Sequence, residues 1–391
     1  MTGQDKLPPP RRAQLKRLRH PISKDILDHA LTFWLPGPHS FTGEDSAELQ
    51  IHGGYAVTKA VLAALGSIPG LAPAQAGDFT KRAFHAGKLD LTQVEALADL
   101  IHAETDHQRR QALRQLDGNL MKQFELWRTR LIKIMANIEA YIDFAESEDI
   151  EETVPREVHK NILELLEELK LSHKNAKSGE RLRKGVHVAI VGKPNVGKST
   201  LLNRIVQRPA AIVSPLAGTT RDVVETRLDL QGYPVVLFDT AGLREETNDI
   251  VEEEGVKRAI NTGNSADILI LVQDATSGNE NRTENFDLKE FGLEDIGQVK
   301  LNLMNKIDLN NNSHDSTAFG VSGLTGQGLD EFLDVLTDHV KELCETKSGE
   351  NCPGLTRDRH KFHLSKAIGK KLIILNPIIN WNNIQSAIGP N

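Results

Sequence analysis

The chain has 391 residues, a length for two to three domains, and its 39% hydrophobic and 26% charged residues are ordinary globular texture. A formal net charge of −7 leaves nucleic-acid contact to a local patch. Two cysteines, Cys344 and Cys352, exclude a disulfide framework or a cysteine-rich zinc site, and no run of about 18 apolar residues is present to span a membrane.

Residues 6–24, KLPPPRRAQLKRLRHPISK, are basic and free of acids. Their prolines and weak amphipathic pattern favour a solvated connection or an edge strand over a targeting segment. Residues 26–54 then read as strands broken by Pro-Gly and Gly-Gly turns, and AVTKAVLAALGSI has helical spacing. Residues 1–88 therefore form a small α+β unit. From Leu91 the apolar residues Val94, Leu97, Ile101, Leu113, Leu116, Leu120, Phe124, Trp127, Leu131, Met135, Ile138 and Ile142 recur every three or four positions. Thr92 with Glu95 forms a capping-box signature, and Val158, Ile162, Leu165, Leu166 and Leu169 continue the pattern. The expectation for 89–185 is a layer of long helices whose stripes pack as core.

The period changes at Val186. VHVAIV, VVLFD (235–239), DILILVQD (267–274), VKLNLMNKID (299–308) and TAFGVS (317–322) read as strands separated by helical segments. That alternation predicts an α/β domain with a mostly parallel sheet over 186–345. Residues 346–391 read as a linker, a helix start and a tail rich in Asn and Ile. The whole is multidomain α/β.

The motifs sit in this last domain. GKPNVGKS, Gly192–Ser199, lies between a strand and a helix and fits the phosphate-binding loop: backbone N–H groups surround phosphate oxygens, Lys198 reaches the β- and γ-phosphates, and Ser199 takes a Mg²⁺ position. Asn195, Val196, Gly197 and Thr200 belong to the same cradle. NKID supplies Asn305, Lys306 and Asp308, whose carboxylate accepts two hydrogen bonds from guanine that adenine cannot offer. VSGLTG adds Ser322 at the base. DTAG supplies Asp239, holding Mg²⁺ through water, with Thr240, Ala241 and Gly242 at the γ-phosphate. AGTTRD contributes Gly218, Thr219 and Thr220, the last as the second Mg²⁺ hydroxyl. The nucleotide is read as GTP. The position that in Ras-like enzymes holds a water-orienting glutamine is Leu243, which can neither give nor take a proton. Arg221 and Arg244 stand as arginine-finger candidates or surface partners. The acidic run 246–254 stands as a water-orienting or merely solvated segment.

Taken together, these motifs with LPGPHSFTGEDSAELQIHGG (35–54), GDFTKRAFHAGKLDLTQVEALADLIHAET (77–105), GTTRDVVE and DTAGLRE resemble the MnmE/TrmE family of tRNA-modification GTPases. The likeness covers roughly residues 8–363, and QRRQALRQLDG and AYIDF are similar to its mitochondrial branch. The resemblance implies a folate-binding, dimerising N-terminal domain, a helical domain and an inserted G domain. It implies a homodimer working with an FAD-containing MnmG/GidA-type partner on the wobble uridine of tRNA. The added group would be of taurinomethyl or carboxymethylaminomethyl type, with a one-carbon unit from methylene- or formyl-tetrahydrofolate, and the location mitochondrial.

It also implies that K⁺, held by Asn195, Ser214, Leu216 and Thr219, replaces an arginine finger when G domains dimerise. The water-orienting acid maps to Glu252, with Glu253 the alternative. Catalysis then rests on Glu252, Lys198 and Thr220, and folate contacts map to Glu48 and Lys88. From the residues alone, those two are a strand acid and a turn lysine. Departures are a missing Gly/Arg-rich strand region at the start, a missing C-terminal Cys-x-Gly-Lys, and a likeness that fades after Leu364. These departures suggest a second reading, a truncated form that binds GTP and partner without supporting modification. A ribosome-assembly GTPase of the Era or Der type is a third, opposed by the lack of a KH-type domain and by the folate-like N-terminus.

Overall fold

The computed structural model describes residues 1–3, 7–144, 153–193, 195–207, 225–239, 263–276, 288, 293–295, 297–309, 318–345 and 355–369. They belong to two compact units, one of Met1–Ala98 with Leu116–Met121, the other of Asp99–Gln115 with Lys122–Asn391.

In the first unit, β1 (Gln14–Arg19), β2 (Ile26–Leu35) and β3 (Ser46–Gln50) form an antiparallel sheet in that order. The basic segment thus becomes an edge strand, where charge discourages pairing with other chains. Helix α1 (Tyr55–Gly66) covers one face, closing a small core of Leu18, Ala30 and Val61 with Leu27, Leu49 and Val57. Strand alternation puts Glu48 on the other face, opposite Phe33. The loop before β3 is tied by its own side chains. Asp45 Oδ1 accepts from the Gly37 N–H at 2.9 Å, and the Ser40 hydroxyl donates to the Glu44 carbonyl. Helix α2 (Asp78–His85) follows, and its Arg82 pairs with Glu44 at 2.8 Å.

The long helical stretch is broken where the sequence pattern ran on. It divides into α3 (Leu91–Ile101), α4 (Asp106–Leu116) and α5 (Asn119–Phe144). The expected Thr92–Glu95 box is displaced. Asp90 is the cap, its Oδ1 accepting from Thr92 N, Thr92 Oγ1 and Gln93 N, while Gln93 Oε1 accepts from Asp90 N. A carboxylate is the stronger acceptor for these helix-start donors, so Thr92 enters the first turn instead. The core expectation also fails at three positions. Ile101, Met135 and Ile142 are exposed, and Ile134, one residue before Met135, is buried instead. Trp127 and Ile134 pack with Val158, Ile162, Leu165, Leu166 and Leu169 of α6 (Thr153–Lys184) and with Leu364 and Ile368 of a closing helix over 358–369.

Six strands follow in the order β5-β6-β4-β7-β8-β9: β4 (Val186–Gly192), β5 (Glu225–Leu230), β6 (Tyr233–Asp239), β7 (Ile268–Asp274), β8 (Val299–Asn305) and β9 (Phe319–Gly320). All neighbours are parallel except β5–β6. Both faces are covered, which is why the central strands are continuous apolar runs. Val188, Ile190, Ile268 and Ile270 meet Leu201 and Leu202 of α7 (Lys198–Val206) and Phe332, Leu336 and Val340 of α8 (Leu329–Cys344), while Ala189, Val191, Leu269 and Leu271 face the other way. Each such aliphatic side chain contributes about 1.5–3 kcal/mol by burial. The run expected as a strand to Asp308 ends at Asn305, because Lys306 turns left-handed at φ +67° and a 3₁₀ turn takes Ile307–Leu309.

Candidate functional site

The carboxyl ends of β4, β7 and β8 bring the P-loop and NKID side by side. Asn305 is the latch. Its side chain is buried, donating from Nδ2 to the Val196 carbonyl at 2.8 Å and to the Gly197 carbonyl at 3.4 Å, and accepting at Oδ1 from the Gly323 N–H at 2.9 Å. It thus joins the loop after β4 to the loop after β9.

Two lysines complete the grip on the loop. Lys198 Nζ donates to the Gly192 and Lys193 carbonyls, each at 2.8 Å. Lys306 Nζ donates to the Asn195 carbonyl at 2.7 Å and to Asp274 Oδ2 at 2.6 Å. The carbonyls of residues 192, 193, 195, 196 and 197 are therefore all held by side-chain donors. Holding these carbonyls fixes the loop between β4 and the α7 N-terminus, where backbone N–H groups can line an anion-binding nest. Pro194, between them, lies outside the described residues.

Local conformation explains the residue types. Gly197 stands at φ +90°, and a Cβ there would lie 2.4 Å from Asn305 Nδ2. Asn195 stands at φ +65°, a conformation asparagine tolerates better than most side chains, and it is exposed. Ser199 and Thr200 are exposed in the first turn of α7. Val196 is buried against the sheet.

At the base end, Asp308 is half-buried in the 3₁₀ turn. Ser322 is fully buried, its Oγ accepting from Thr325 N at 3.1 Å, so it shapes the VSGLTG turn. Asp274 accepts from the Thr276 N–H and hydroxyl as well as from Lys306. Burial alone would raise its carboxyl, but the Lys306 and Thr276 hydrogen bonds win and hold it below the usual range. Motif reading missed Asp274. Its signal is an acid ending an otherwise apolar strand.

Asp239 ends β6, and its side chain, with Ser214, Leu216, Gly218, Thr219, Thr220, Thr240, Ala241, Gly242 and Glu252, lies outside the described residues. Glu48 and Lys88 are both exposed, on β3 and just after α2, and no hydrogen bond or ion pair joins them among the described residues. Lys88 packs its stem by Gly43, where an added Cβ would lie 3.6 Å from Cε.

A second set of contacts, absent from any motif, ties α4 to the β5–β6 hairpin. The His107 ring stacks on Tyr233 with centroids 4.0 Å apart, and the His107 backbone N–H donates to the Gly232 carbonyl at 3.2 Å. Arg227 pairs with Glu104 at 3.0 Å, and the Tyr233 hydroxyl donates to Glu345 at 2.6 Å. Burial, then that carboxylate, pushes the Tyr233 hydroxyl far up.

Residues 1–88 match a family model described as GTP-binding protein TrmE N-terminus, and residues 91–381 match one described as MnmE helical domain. The second match runs past Leu364, where the likeness was expected to fade. Among curated proteins, the mitochondrial 5-taurinomethyluridine-[tRNA] synthase subunit GTPB3 of Danio rerio is 48% identical over 382 residues, covering 93% of this chain and 76% of that protein. The Homo sapiens protein of the same description is 47% identical over 93% of this chain and 76% of its own length. The tRNA modification GTPase MnmE of Rhodospirillum rubrum is 47% identical over 93% and 81%.

Proposed function

This chain belongs to the MnmE family of tRNA-modification GTPases, and from that premise we propose that its GTP hydrolysis is stimulated by K⁺ and drives modification of the wobble uridine at carbon 5. The observation that carries the reading is the grip on the P-loop: Lys198, Lys306 and Asn305 hold its carbonyls, which fixes the loop as a cradle at the α7 N-terminus for a phosphate chain.

GTP and Mg²⁺ are the cofactors of such a GTPase. Mg²⁺, when bound, neutralises charge building between the β- and γ-oxygens. In this proposal Ser199, Thr220 and Asp239 (through water) hold it, Lys198 stabilises the phosphoryl oxygens, and Asp308 selects guanine. Leu243 cannot orient water, and Glu252 takes that role. K⁺ fits the one proposed ligand among the described residues. Asn195 offers an exposed neutral side-chain oxygen, the donor type that suits a large monovalent cation, on a backbone already fixed. Ser214, Leu216 and Thr219 complete the set when two G domains meet.

The remaining roles follow the family. Glu48, exposed on β3, and Lys88 contact a tetrahydrofolate that supplies the one-carbon unit. The chain acts as a homodimer with an FAD-containing MnmG/GidA-type partner, on mitochondrial tRNA, and the group added is of taurinomethyl type, as in the relatives' name. No helix among the described residues is long and apolar enough to cross a membrane. The test is GTP turnover in KCl against NaCl at equal ionic strength. Stimulation by KCl that Asn195→Ala abolishes is expected, and equal wild-type rates in both salts overturn the K⁺ reading.

A further inference from the structure

The backbone of Asn195 is left-handed, at φ +65°, which asparagine tolerates better than most residues, and its side chain is exposed. A hold on this backbone comes at its carbonyl, through Lys306 Nζ at 2.7 Å. A lysine ammonium is a point charge on a flexible stem and does not aim itself. Asp274 aims it. The carboxylate ends β7, the strand lying between the P-loop strand and the NKID strand. Its Oδ1 is pinned by Thr276 N at 2.9 Å and Thr276 Oγ1 at 2.6 Å, which leaves Oδ2 directed at Lys306 at 2.6 Å. The Ala275 N–H donates to the Asn305 carbonyl at 2.9 Å, so the two strand ends move together. A continuous chain of contacts thus runs from Thr276 through Asp274 and Lys306 to Asn195.

Charge points the same way. Lys306 brings a full positive charge onto the residue proposed to bind a cation, and like charges so close disfavour each other. The Asp274 carboxylate, in contact with that ammonium, offsets it. Loss of the carboxylate would both free the lysine and leave its charge beside the cation.

We propose that Asp274 is the positioning residue of the cation site: by holding Lys306 on the Asn195 carbonyl, it fixes the P-loop in the shape that lets Asn195 ligate a monovalent cation. This rests on the K⁺ reading above. An ion pair that only braced the strand ends would leave the K⁺ requirement unchanged.

The test compares wild type, Asp274→Asn, Thr276→Val and Asn195→Ala. GTP turnover is measured against KCl with NaCl balancing ionic strength, and release of a fluorescent GDP analogue is measured in NaCl alone. In Asp274→Asn the KCl needed for half stimulation rises about tenfold and GDP release quickens about tenfold, the loss of one charge-assisted hydrogen bond. Thr276→Val, a surface change, shifts both in the same direction by less and carries the test if Asp274→Asn does not fold. Wild-type KCl dependence and release in both variants, while Asn195→Ala has lost stimulation, overturns the role of Asp274 and leaves the K⁺ reading standing. Equal turnover of wild type in the two salts overturns both.

Discussion

Asn305→Ala removes the latch between the two loops of the nucleotide site, and its cost can be worked from the contacts. The buried Gly323 N–H and the Val196 carbonyl each lose a good hydrogen bond, at 2.9 and 2.8 Å, and the Gly197 carbonyl loses a long one at 3.4 Å. A buried polar group left without a partner costs about 1–3 kcal/mol, so the two strong bonds together represent about 2–6 kcal/mol. If only a quarter to a half falls on binding, GDP affinity drops between about twofold and 100-fold, and the rest appears as lost stability. Equilibrium titration with a fluorescent GDP analogue and urea unfolding read the two parts. Asn305→Asp sharpens the comparison. It keeps an acceptor for Gly323 but turns a carboxylate toward the Val196 and Gly197 carbonyls, so it should bind less tightly than Asn305→Ala. Wild-type affinity and stability in Asn305→Ala, or tighter binding by Asn305→Asp than by Asn305→Ala, would refute the reasoning.

Gly197→Ala should weaken nucleotide binding at least about tenfold, since φ +90° strains any side chain and the new Cβ meets Asn305 Nδ2 at 2.4 Å; the same titration measures it. Tyr233→Phe keeps the stack on His107 but loses the bond to Glu345, and should lower the urea-derived stability by about 1 kcal/mol. The clasp of the closing helix on α6 should be acid-sensitive. Burial would raise Glu180, but Lys184 and Lys361 outweigh it and hold it below its ordinary 4.5, while Lys184 holds Asp358 below 3.8. A depressed carboxylate contributes stability that is fully present above its unfolded value and lost as pH falls through the folded one. Urea midpoints should therefore drop below about pH 4.5 more steeply in wild type than in Glu180→Gln/Asp358→Asn, and parallel curves would count against the clasp.

Much of this was legible because motif residues and element residues coincide. GKPNVGKS and NKID are spelled by backbone demands as well as by ligand chemistry: Gly197 must be bare for Asn305 to pass, and that approach is a property of both segments at once. The apolar run of β7 declared a buried strand, and Val158 to Leu169 declared a buried stripe. Other features were silent. Helix breaks at 102–105 and 117–118 interrupt a pattern that three- and four-residue spacing alone carries through. The Asp90 cap was hidden by a better-known signature two residues later. Strand β5 pairs antiparallel at the sheet edge with only half its side chains covered, so ETRLDL does not announce itself. The His107–Tyr233 stack joins residues far apart in the chain, and no local rule anticipates it.

The chain leaves the helical layer and returns to it through a single doorway. Arg183, just before β4, donates to the Thr356 carbonyl at 3.0 Å, Lys184 pairs with Asp358 at 3.1 Å, and Gln115 of α4 reaches Thr356 from the side. The six-stranded sheet is entered and left by that doorway, so in the language of chain topology it is a cassette whose two ends nearly touch. A ring closed so tightly can be lifted out with little loss of closure entropy elsewhere. Joining Lys184 to Thr356 by a few glycines should leave the helices folded around Trp127 and Leu165, and the excised sheet should be viable with its own ends tied. The same geometry makes the doorway the covalent pivot of the cassette, while the His107–Tyr233 stack and the Arg227–Glu104 pair brace its β5–β6 edge against the helical layer, so a swing about the pivot has to break both.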